Sequence, residues 1–86
     1  MAVRFGRPPP QTDWALACSV HAQALRLSAD GASPLQAERA VVEYGAAVAL
    51  EKAADYWRTG DHELARMWMR AAGSQLAAAL IDVPWL

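Results

Sequence analysis

Cys18 and His21 stand three residues apart, and a second histidine, His62, sits between Asp61 and Glu63. On one helix face, an i, i+3 pair has the spacing of two metal ligands, and a Cys/His/His set suits zinc. The same pair could supply a thiol nucleophile and its base. A haem or other apolar cofactor would instead need His21 with Met67 or Met69. Packing competes with all three readings and is the stronger explanation. Cys18 and His21 fall on the apolar seam of their helix, where a buried thiol and a satisfied histidine are ordinary and no substrate fits. No glycine-rich phosphate loop is present, and no carboxylate pair lies in an acid–base setting. The expectation is no enzyme, no metal and no cofactor.

Residues 56–72, YWRTGDHELARMWMRAA, gather aromatic, thioether and cationic side chains around Gly60-Asp61. Arg66 and Arg70 are i, i+4 on the wet side of a helix, and like charges there are mildly destabilising. An acidic partner surface would explain them, with Arg58, Trp57 and Trp85 as further contacts, since Arg and Trp are favoured at interfaces. A solvated face eased by Glu63 and Asp55 is the plainer account. Met67 and Trp68 read as core, because stripes at helical spacing are usually packing.

The stretch RLSADGASPLQAERAV has the outline of a helix-turn-helix junction, with Gln36 and Arg39 placed to reach bases. Glu38 and Glu43 would repel phosphate, and the helix before the turn is too long. The formal net charge of −1 also argues against a nucleic-acid binder. DNA binding is the alternative reading.

These side chains need elements to hold them. Eighty-six residues make one domain, and a chain this short has little surface to bury. Alanine supplies much of the apolar content and β-branched residues are few, which points to helices. Residues 1–11 hold Pro8-Pro9-Pro10 and read as an extended arm. MAVRFGRPPPQ lacks the apolar core of a secretory signal. One cysteine fits a reducing, cytoplasmic setting, and the longest apolar run is too short to span a bilayer.

Helix one is expected from Thr12 or Asp13 to about Ala29, ended by a left-handed Gly31. Its seam is Trp14, Cys18, His21 and Leu25, widened by Val20, Ala24, Leu27 and Ser28. Helix two is expected from Ser33-Pro34 to Thr59, a run of about 26 residues or roughly 39 Å. Leu35, Val42, Ala49 and Tyr56 form its seam, and Glu43, Glu51, Asp55 and Arg58 lie opposite. Helix three is expected from Asp61 to about Leu80, with Leu64, Trp68, Ala71, Ala72, Gln75 and Ala79 inward. Its wide apolar arc suggests burial on two sides, and hence a homodimer. Residues 12–81 form the domain, and 82–86, DVPWL, a tail that folds back or docks through Trp85.

Tyr56, Gly60, Asp61, Ala65 and Ala72 are spaced as in the centre of a tetratricopeptide repeat. Over about residues 49–77 the chain resembles one helical hairpin of that family. Lys52, Ala49 and Ala77 depart from its pattern. The resemblance implies protein–protein interaction. The reading is thus an all-α, three-helix antiparallel bundle with a long central helix. Its expected function is non-catalytic protein binding, as an adaptor, an assembly factor or a small inhibitor of a larger machine.

Overall fold

The computed structural model describes residues 13–81. The arm expected over 1–11 and the tail expected over 82–86, with Trp85, lie outside the described residues. Three helices pack together as an all-α bundle: α1 (Trp14–Asp30), α2 (Ala37–Thr59) and α3 (His62–Ala78). No described helix is long and apolar enough to cross a membrane.

Local chemistry accounts for most of the helix ends. The Asp13 carboxylate accepts the Leu16 N–H at 3.0 Å, and Asp61 accepts the Leu64 N–H at 3.3 Å. Each satisfies a backbone donor that the first turn leaves without an intrahelical acceptor. Gly60 ends α2 at φ 88°, a left-handed conformation in which a Cβ is disfavoured. Nothing lies within 4 Å of a Cβ placed there, so the cost of Gly60→Ala is conformational alone. It is expected to be about 1–2 kcal/mol, read as a lower urea midpoint with an unchanged slope. An unmoved midpoint would show that the turn relaxes without strain.

Three boundaries differ from expectation. Gly31 closes α1 at φ −87°, outside the left-handed region. Its N–H donates to the Leu27 carbonyl at 3.1 Å, and this ending does not require glycine. Pro34–Gln36 form a single 3₁₀ turn, so α2 begins at Ala37 and runs for 23 residues. Gln36 at φ −107°, ψ 14° separates the two, while the Ser33 N–H donates to Gln36 Oε1 at 3.1 Å as the expected capping box requires. Finally, α3 stops at Ala78. Leu80 turns left-handed at φ 59°, and the Ile81 N–H returns to the Leu76 carbonyl at 2.8 Å.

The helix buried on two sides is α2, not α3. Facing α1, Arg26 pairs with Glu51 through two 2.7 Å contacts, and Tyr44 donates its hydroxyl to Asp30. Facing α3, Lys52 lies 5.5 Å from the Trp68 ring centre, and a Cβ on Gly45 would stand 3.0 Å from Gln75 Oε1. Between these flanks Ala46, Ala47, Ala53, Ala54 and Leu50 are almost wholly buried. Methyl side chains on both flanks of α2 let two helices approach one axis closely.

This arrangement overturns several face assignments. Leu35, expected to begin the α2 seam, precedes the helix proper and is 99% exposed. Glu43 and Glu51 were expected in water. Glu51 instead joins α1 to α2, and Glu43 is buried. On α1 the seam is Cys18, Ala22, Leu25 and Ala29, and Val20 and Leu27 face outward. On α3, Ala65, Met69, Ala72 and Leu76 are buried, while Met67, expected in the core, is 44% exposed. Met67 and Met69 are two residues apart, which is roughly 200° around a helix, so one excludes the other from the core.

Candidate functional site

Trp57, near the end of α2, sits where all three helices meet. Asp13 starts α1 so that Trp14 reaches it, and the two indoles stack with centroids 6.0 Å apart and planes 18° from parallel. The turn at Gly60 sends α3 back along α2. Residues at i, i+4 and i+7 of α3 then face Trp57. The His62 ring lies 4.7 Å away, and the Arg66 guanidinium stands 5.4 Å from the indole centre. The Trp57 indole N–H donates to Met69 Sδ at 3.3 Å. The α3 contacts of Trp57 thus fall on the 62/66/69 side, and Trp68 packs under Lys52.

An open pocket of about 270 Å³ lies at this junction, lined by Asp13, Trp14, Ala15, Trp57 and His62. Its walls are flat rings with one carboxylate at the rim. One Asp13 oxygen is already engaged by the Leu16 N–H. Asp13 and His62 are the titratable groups of its lining.

The sulfur and imidazole groups singled out by spacing are not brought together as a ligand set. Cys18 is fully buried, and burial pushes its thiol up to about 11. At neutral pH the protonated thiol therefore dominates over the reactive thiolate. His62 lies against Trp57, and among the described residues no three His, Cys, Asp or Glu side chains converge on one point.

Burial also lowers the His21 pKa from its ordinary 6.5. The folded state then binds its proton less readily than the unfolded chain. The His21 contribution to stability is complete above 6.5 and is lost as the pH falls from there through the depressed folded value. In urea titrations between pH 7.5 and 5, wild type is expected to lose stability more steeply than His21→Gln. Identical slopes would remove His21 from the pH response.

The expected partner-binding cations do not form one patch. Arg58 turns toward α1, where it donates to Ser19 Oγ at 2.9 Å and pairs with Asp55 at 3.3 Å. Arg66 lies over Trp57, on the α3 side. Arg70 follows one turn along α3, exposed, with no hydrogen bond or ion pair among the described residues. Of the residues proposed to read bases, Gln36 holds the Ser33 N–H through its amide oxygen, and Arg39 is exposed at the start of α2.

Reading by residue type missed Trp14 and His62 as partners of Trp57. The signal was their position next to the two helix caps, which brings the first turns of α1 and α3 to the last turn of α2.

No family model, no curated protein and no solved structure matches this chain.

Proposed function

We propose that this chain is a non-catalytic protein-binding module whose recognition face is the outward side of α3. The observation that carries this reading is the exposed pairing of Arg70 with Met67, three residues apart on one helix face. A cation with no partner among the described residues, beside an exposed thioether, matches the mixed polar and apolar character of interface cores, where Met and Arg are enriched. Arg66 is already oriented by the Trp57 ring, so its ordering on binding costs less side-chain entropy. Both charges call for an acidic partner surface. The resemblance of the α2–α3 hairpin to a tetratricopeptide unit points the same way. An adaptor, an assembly factor or a small inhibitor acts through such a face. A cytoplasmic setting accords with the single reduced thiol.

A tagged pull-down from the native host, with mass spectrometry, tests this reading. Wild type is expected to retain one acidic protein or complex, and Arg70→Glu to lose it while remaining helical. Arg70 is exposed, so the variant leaves the core intact. The retained complex should weaken as salt is raised. Equal recovery by both proteins, or recovery of nucleic acid in place of protein, overturns the reading.

A further inference from the structure

Helix α3 carries two methionines on opposite sides, and their sulfurs have opposite surroundings. Met69 is 8% exposed, and its Sδ accepts the Trp57 indole N–H at 3.3 Å. Met67 is 44% exposed, and no hydrogen bond among the described residues engages its sulfur. A thioether reacts with a peroxide through a sulfur lone pair. Accessible methionines are therefore oxidised, and packed ones are spared until the core opens.

The geometry points to Met67 as an oxidation site on the α3 face, where a peroxide converts its thioether to a sulfoxide and the new oxygen takes up the guanidinium of Arg70. The step balances with the peroxide as sole co-reactant. A sulfur lone pair attacks one peroxide oxygen, and the O–O bond breaks as the S–O bond forms. With hydrogen peroxide the second oxygen leaves as water after proton transfer. The sulfur loses two electrons and the peroxide gains them. Sulfoxide reductases restore the thioether with thiols as the reductant, so the modification is reversible.

The sequence around Met67 determines what the sulfoxide oxygen meets. A thioether is a weak acceptor, whereas a sulfoxide oxygen is polar and seeks a donor. Within one turn on this face stand Glu63 and Leu64 before it, and Arg70 and Ala71 after it. Arg70 alone of these brings a charged side-chain donor. Long side chains on a helix lean toward its N-terminus, which carries the Arg70 guanidinium back over Met67. Arg66, the adjacent cation, is held over the Trp57 ring. Arg70 has no hydrogen bond or ion pair among the described residues, so no such contact there has to break.

The consequence for binding rests on the reading of α3 as the recognition face. Oxidation makes the apolar contact of Met67 polar and turns Arg70 from the partner to the sulfoxide oxygen. Both halves of the pair are lost in one step. A bound partner covers Met67, so the free protein is the form that is oxidised.

Hydrogen peroxide treatment of the full chain, followed by peptide mass spectrometry, reads the site. Met67 is expected to gain one oxygen roughly tenfold or more faster than Met69, with the far-ultraviolet dichroism unchanged. In side-chain NMR spectra the Arg70 Nε–H resonance should shift on oxidation and the Arg66 resonance should stay. Peroxide-treated Met67→Leu, which keeps an apolar side chain of similar size, should show no Arg70 shift. In the pull-down, oxidised wild type should retain its partner about tenfold less well than untreated wild type, and Met67→Leu should be indifferent to peroxide. Equal oxidation rates at Met67 and Met69 overturn the inference, as does an Arg70 resonance that oxidation leaves in place. Undiminished partner retention by oxidised wild type also overturns it. If untreated wild type retains no partner, the recognition face fails, while the mass and resonance readouts still decide the oxidation site.

Discussion

Leu50→Ala is expected to lower the stability of the fold by about 3 kcal/mol, from lost transfer free energy and the cavity left behind. Leu50 is fully buried, and among the described residues only Leu50, Leu76 and Cys18 are large side chains buried to that degree. Alanines surround Leu50 along α2, and a methyl group cannot reach across the space that a missing isobutyl group leaves. A chain of this size has a total stability of roughly 4–13 kcal/mol, so the change removes a large part of it. The melting temperature should fall by about 15 °C. Leu50→Met keeps the volume and should cost less than about 1.5 kcal/mol.

Cys18 provides a second readout of the same change. Its thiol belongs to the same packed cluster and reacts only when that cluster opens. Under conditions where opening is in fast equilibrium, a loss of about 3 kcal/mol raises the open population, and with it the alkylation rate, about a hundredfold. A small change in both melting temperature and labelling would mean that α1 and α3 close over the gap, and that the core is looser than its burial implies.

Trp57→Ala is expected to cost about 3 kcal/mol, at the low end for tryptophan because the side chain is only partly buried. The effect should differ in kind from that of Leu50→Ala. Trp57 ties the first turns of α1 and α3 to the last turn of α2 through Trp14, His62, Arg66 and Met69. Its removal should fray those turns before the middle of the bundle opens. Hydrogen exchange is expected to accelerate most at Ala17 and Ala65, whose amides donate to the carbonyls of the capping residues Asp13 and Asp61. The near-ultraviolet dichroism of the stacked indoles should collapse. Trp57→Phe keeps a ring against Trp14 but loses the indole N–H donor to Met69, and should fall between the two. Uniform acceleration along all three helices would show that the junction and the core open as one unit.

The helix count and the chemistry of several ends were legible in the sequence because they are settled within a few residues. Asp13, Ser33, Pro34, Gly60 and Asp61 act on backbone groups no more than about one turn away. Gly31 shows the limit of that logic. A glycine after a helix permits a left-handed ending without requiring one.

Tertiary structure decided which helix lies in the middle and which side of each helix is dry. Alanine is apolar on every side, so an alanine-rich helix carries a weak directional signal. The apparent α2 seam through Leu35 was as consistent with the pattern as the real one through Leu50. On α1 two rows with the same spacing competed, and the sequence gives no means to rank them. The smaller row, Cys18-Ala22-Leu25-Ala29, faces α2 because small side chains allow the closer approach to an alanine surface. The larger row, with Leu16, Val20 and Leu27, is left outside for that same steric reason.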